Sequence, residues 1–180
     1  MADILQKYNR YTFFWSGPFS NWKSASFVLD GQQYGCVEQY MMQKKALMFD
    51  DIEIANEIMK TTNPREQKAW GRRVRNFNMN MWAVVARDVV FRGCLAKFTQ
   101  NVDMYHELMA TSGTLLVEAS PLDKVWGIGL DEKTAAVTPI DQWKGANWLG
   151  QCLTEVRETF ESQLTDEKVL KHLDPKGLQG

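Results

Sequence analysis

Tyr34-Gly35-Cys36-Val37-Glu38-Gln39-Tyr40-Met41-Met42-Gln43-Lys44-Lys45-Ala46-Leu47-Met48-Phe49 is the run around which the rest of the chain is arranged. Gly35 interrupts what precedes it, and good helix formers then continue without Gly or Pro, which predicts a helix entered from a turn. Val37, Tyr40, Met41, Leu47 and Met48 recur at helical spacing and predict its buried stripe. Glu38 falls in the first turn, and Lys45 follows seven residues on, two turns along nearly the same face. A carboxylate and an amine therefore share one side of a rigid element. Two readings of that spacing stand side by side. The pair is an acid/base or nucleophile constellation, or it is a Glu and a Lys complementing the two ends of the helix dipole.

Working outward, the aromatic run Tyr11-Thr12-Phe13-Phe14-Trp15 is of strand type and is ended by Ser16-Gly17-Pro18. Ala25 to Leu29 and Gln32 to Tyr34 flank Asp30-Gly31, a strong hairpin signal. A small antiparallel sheet is thus expected to lead directly into the Glu38 helix. Downstream, helices are expected over 50–61, over 65–74 with Pro64 at the start, over 81–95 and on through Phe98, and over 101–109. In the third of these, Trp82, Val85, Val89 and Val90 read as core. Gly71 inside a helical pattern suggests close approach of a backbone or ligand, with Arg72 or Arg73 as a fork for phosphate; the plain alternative is a helix end with two solvated arginines. Leu115 to Ala119 is a short apolar run expected to form a buried strand against the hairpin. Loops over 120–130 and 139–150 carry Trp and Gly, and a final amphipathic helix contains Cys152, Val156 and Phe160. The expected fold is α+β, mainly helical, a single domain with a small antiparallel sheet and about six helices.

A chain of 180 residues with 44% hydrophobic content suits one such domain. We divide it into an N-terminal extension at 1–9, the domain at 10–164 and a polar tail at 165–180. Lys+Arg 21 against Asp+Glu 22 leaves a net charge of -1, so bulk electrostatics do not mark a nucleic-acid or anionic-membrane binder. A local basic patch stays open, with Arg65, Lys68, Arg72, Arg73, Arg75 and Lys97 as its members. The N-terminus has no run suited to a signal peptide, and no window approaches a membrane span, so a soluble cytoplasmic protein is expected. Cys36, Cys94 and Cys152 lie far apart without CxxC spacing, and the only histidines are His106 and His172. Neither a disulfide framework, a metal site nor a cofactor is expected, and activity should survive a chelator.

Phe19-Ser20-Asn21, Glu38-Gln39-Tyr40 with Lys45, Gly71-Arg72, Trp82, Leu116-Val117-Glu118 with Asp123, Trp126-Gly127, Asn147 and Leu149-Gly150 occur in that order over about residues 10–160. The ordered set resembles the NADAR family of YbiA-like N-glycosidases. That resemblance implies cleavage of an N-glycosidic bond between ribose and a base. The substrate would be either a ribose 5-phosphate aminopyrimidine from early riboflavin biosynthesis or an ADP-ribosylated guanine, free or in nucleic acid. It makes Glu38, Lys45 and Asp123 the catalytic candidates and Asn21, Arg72, Trp82, Trp126, Gly127 and Asn147 the substrate-binding ones. The chemistry agrees, because breaking a ribosyl C–N bond passes through an oxocarbenium-like state that a carboxylate such as Glu38 stabilises. Lys45 would hold phosphate or, if desolvated, attack the anomeric carbon to give a Schiff base, the phosphate role being expected first. Asp123 would serve ribose hydroxyls or proton transfer, or only cap its loop. Trp126 would stack on the base and Gly127 would admit it closely. Asn21 and Asn147 would hydrogen-bond ribose or base edges, or else serve as turn residues. A non-catalytic module that binds ADP-ribose-like ligands in the same pocket is the alternative function.

Overall fold

A computed structural model describes residues 4–165. In chain order, α1 (Ile4–Lys7), β1 (Tyr11–Phe14), a 3-10 turn at Gly17–Phe19, β2 (Phe27–Leu29) and β3 (Gln32–Tyr34) lead into α2 (Val37–Met48). Then come α3 (Ile52–Lys60), α4 (Pro64–Gly71), α5 (Met79–Gln100), α6 (Val102–Met109), β4 (Leu115–Glu118), α7 (Glu132–Ala136), a 3-10 turn at Ile140–Gln142 and α8 (Trp148–Thr165). The chain is mainly helical α+β, and the two helices beyond the six expected are the short α1 and α7. Among the described residues, no helix is long and apolar enough to cross a membrane.

Local chemistry explains most of these boundaries. Cys36 makes no side-chain cap for α2. In the first turn the Asn21 carbonyl accepts the Glu38 N–H at 3.0 Å, and Gln39 Oε1 reaches back to accept the N–H of Gly35, just before the helix, at 2.8 Å. Asp51, Asn63 and Asn78 cap α3, α4 and α5 through their side chains, and Pro64 opens α4 where a missing N–H costs nothing. Asp30 and Gly31 both take positive φ, 53° and 76°, as a two-residue hairpin turn requires.

Helices α3, α4 and α5 all pack on α2, so Glu38 and Gln39 are buried along with its apolar residues. Val37, Tyr40 and Met41 face the core as predicted. Leu47 does not: it is exposed and Met48 is half-buried, while Met42 and Ala46 take the inner positions. On α5, Val90 is buried but Val85, Val89 and Trp82 are only half so, because the close contacts use Ala86, Gly93, Cys94 and Phe98.

The strand at Leu115 does not join the hairpin. It pairs with β1 in parallel, from Tyr11↔Leu115 to Phe14↔Glu118, and antiparallel pairing is confined to β2 and β3. The helices from α2 to α6 form the crossover that a parallel pair needs. Leu115 and Val117 point into a small cluster with Ile128, Leu130 and Ala135, whereas Leu116 points into the main core. Burial on both faces accounts for the unbroken apolar run. Glu118, one period after Leu116, leaves the strand on the main-core side.

Lys7 and Tyr8, ahead of β1, are tied to α8. Lys7 Nζ and Tyr8 Oη donate to Glu158 Oε1 at 2.6 and 2.5 Å, and the fully buried Arg157 donates to Tyr8 Oη at 3.1 Å. The polar tail beyond Thr165, with His172, lies outside the described residues.

Candidate functional site

Holding the first turn of α2 by the Asn21 carbonyl aims Glu38 into a cavity of about 600 Å³. Its walls come from α2, α4, the start of α5 and the loop after β4. Glu38 is only 3% exposed, and its Oε1 has no hydrogen-bond partner. Burial pushes its pKa up to about 7; Asp123 pushes the same way, and Lys68, Trp22 and Arg72 oppose. A carboxyl this dry with a spare oxygen is costly to keep in a fold, which makes it a candidate for chemistry.

Lys45 lines the same cavity. Its Nζ donates to the Gly71 carbonyl at 2.8 Å and lies 3.9 Å from the centre of the Phe77 ring. Burial lowers its pKa, Glu38 raises it and Arg72 lowers it again. Gly71 is packed against Met42 rather than a ligand: a Cβ there would sit 2.1 Å from Met42 Sδ, and the Met42 side chain would have to move. Arg72, at the end of α4, is exposed and lines the mouth.

Asp123 lines the cavity and caps its own loop. Oδ1 accepts the N–H groups of Val125 and Trp126 at 2.9 and 2.8 Å, capping the loop, while Oδ2 lies 4.0 Å from Lys68 Nζ. Asn21, Trp82 and Trp126 line the cavity, and Trp126 meets Trp148 edge-on at 5.7 Å. Trp22 and Phe77 extend this aromatic lining.

Two of the predicted binding residues sit behind the wall instead. The space a Cβ would take at Gly127 is already filled, with Ser120 Cβ at 2.9 Å and the Glu118 and Asp123 carbonyls at 3.0 Å. Gly127 serves chain-on-chain packing and offers nothing to a base. Asn147 is 0% exposed; its Oδ1 accepts the Glu118 N–H at 3.0 Å and its Nδ2 donates to the Leu116 carbonyl at 3.0 Å. It straps β4 to the start of α8. The basic rim also thins. Lys97 is 1% exposed and donates to the Pro18 and Ser20 carbonyls, and Arg75 is paired with Asp51 and Glu53.

Sequence reasoning gave no role to Trp22, Phe77, Lys124 and Trp148, nor to Glu118, which entered only as part of the ordered set. Glu118 lines the cavity, and its Oε2 is buried without a partner. Burial pushes its pKa up to about 7, Asp123 and Glu38 add to the rise and Lys68 counters it. The signal was a charged residue ending an apolar strand, on the Leu116 face by the period of two.

Comparison with known proteins bears on this arrangement. The model of the NADAR domain family matches residues 12–161. Protein irg-1 of Caenorhabditis elegans is 42% identical over 145 residues, covering 77% of this chain and 68% of the relative. An N-glycosidase of Acanthamoeba polyphaga mimivirus is also 42% identical over 145 residues, covering 78% of this chain and 85% of its own. The N-glycosidase YbiA of Escherichia coli is 31% identical over 153 residues, covering 84% of each. The NMR structure of E. coli YbiA superposes with a TM-score of 0.72 at 27% identity, covering 88% of this chain and 89% of that one.

Proposed function

The chain belongs to the NADAR family, and on that footing we propose that it is an N-glycosidase that hydrolyses the C–N bond between a phosphorylated ribose and a base. The carrying observation is Glu38, a buried carboxyl with a free oxygen facing a cavity lined by tryptophans and bounded by cations. A volume of about 600 Å³ is in the range of small-molecule sites. Trp22, Trp82, Trp126 and Trp148 suit a planar base. Arg72 and Lys124 at the mouth suit phosphate.

Glu38 in this reading carries the negative charge that favours an oxocarbenium-like state. Lys45 is half-buried, and its partly desolvated amine bonds to a carbonyl rather than to a carboxylate. That favours attack on the anomeric carbon, with Glu38 taking the amine proton and water later hydrolysing the Schiff base. Asp123 holds Lys68 and the Trp126 loop in place.

The substrate is a ribose 5-phosphate aminopyrimidine or an ADP-ribosyl guanine, and product analysis by mass spectrometry with both offered side by side decides between them. Ribose 5-phosphate from the first or ADP-ribose from the second is expected, lost in Glu38→Gln while ligand binding persists. Borohydride added during turnover should leave a reduced sugar adduct on Lys45. Release of neither sugar would instead favour the non-catalytic module that binds ADP-ribose-like ligands.

A further inference from the structure

Two buried carboxyls, Glu38 and Glu118, each present a partnerless oxygen at one cavity. They are carried on different elements and have different surroundings. Glu38 stands in the first turn of α2, where the helix dipole favours its anion, and Lys68, Trp22, Arg72 and Lys45 favour it too, against Asp123. Glu118 stands at the end of a strand, which offers no such dipole. Among its electrostatic neighbours only Lys68 favours its anion, while Asp123 and Glu38 both disfavour it. Lys68 is moreover shared with Asp123, 4.0 Å away. When two carboxyls occupy one site and their surroundings differ in this sense, one holds the charge and the other the proton.

We propose that Glu118 is the proton donor to the departing base, with Asn147 as the positioning residue that fixes its main chain. The proposal rests on the N-glycosidase reading above. The C1′–N bond breaks and its electron pair goes to the base nitrogen, which receives the Glu118 proton. C1′ takes an electron pair from the attacking amine of Lys45 or from water. The water that completes hydrolysis returns a proton to the Glu118 carboxylate, so the cycle closes without any other reactant. Holding this strand end firmly matters for such a role. The Glu118 N–H is bound by Asn147 Oδ1, and its carbonyl accepts the N–H groups of Ser120 and Ile128 at 2.9 and 3.0 Å.

The test compares Glu118→Gln with the wild type on two substrates. One is whichever N-glycoside the wild type turns over, and the other is 4-nitrophenyl riboside 5-phosphate, whose phenolate leaves without a proton. Loss of about 10²- to 10⁴-fold in kcat is expected on the first and less than about tenfold on the second. On the first substrate the wild-type kcat is expected to fall toward high pH, and that fall should be absent from the variant. Equal losses on both substrates, in a variant with wild-type thermal unfolding, would overturn the proposal, as would no loss on either. A wild-type enzyme that frees no sugar from any N-glycoside would instead remove the reading beneath it.

Discussion

Glu38 is held in the fold against its own preference, and that has a measurable sign. Its pKa stands at about 7 instead of 4.5, so the folded state binds its proton more tightly than the unfolded chain does. Its contribution to stability is complete below the ordinary carboxyl value and is lost as pH rises through about 7. Glu118 adds a contribution of the same sign. Glu38→Gln should therefore be more stable than the wild type at pH 8, by on the order of 2 kcal/mol, with the difference closing toward pH 4. Thermal unfolding of both proteins across that range checks it, and a variant less stable at pH 8 would mean that the carboxylate is better solvated than its burial implies.

Elements divide by how locally they are encoded. Helix α2 was legible because thirteen residues from Cys36 to Met48 contain no breaker and keep a helical period. The hairpin was legible because Asp30-Gly31 is adjacent in sequence to both of its strands. The pairing of β1 with β4 was not, because the partner lies about a hundred residues away and an apolar run declares burial without naming its neighbour. The same division runs through the site. Glu38, Lys45, Arg72 and Trp126 stand on elements that could be read locally or matched a family pattern. Asn147 was left open between a base contact and a turn; its left-handed backbone, φ 54°, fits the turn, while the two strand groups it binds are ones that no spacing reveals. Helix α8 fastens this distant strand through Arg157, which donates to the Thr111 and Thr114 carbonyls at 2.7 Å each. Arg157→Met would remove the guanidinium from the Thr114 carbonyl and one of three donors from the Thr111 carbonyl, and should cost about 3 kcal/mol in denaturant unfolding. An unchanged midpoint would show that the helix needs no such clamp.

Over the whole molecule, the near balance of charge leaves the pocket to select its own ligand. With Lys97 buried and Arg75 paired, Arg65 and Arg73 are the exposed cations of the expected rim that do not line the cavity. Reversing both, in Arg65→Glu/Arg73→Glu, should keep kcat/KM on a ribose 5-phosphate substrate within about twofold, since screened surface charges act weakly at that distance. A tenfold loss confined to an ADP-ribosylated oligonucleotide would identify a polynucleotide track. The parallel strand pair also orders the assembly of the site in time. Glu38 and Lys45 come together within one helix, whereas Glu118 reaches its place only when the beginning of the chain meets a segment about a hundred residues later. Contacts that distant in sequence form slowly. During synthesis the nascent chain therefore carries Glu38 and Lys45 well before it carries Glu118, and the cavity is complete only after β4 has met β1.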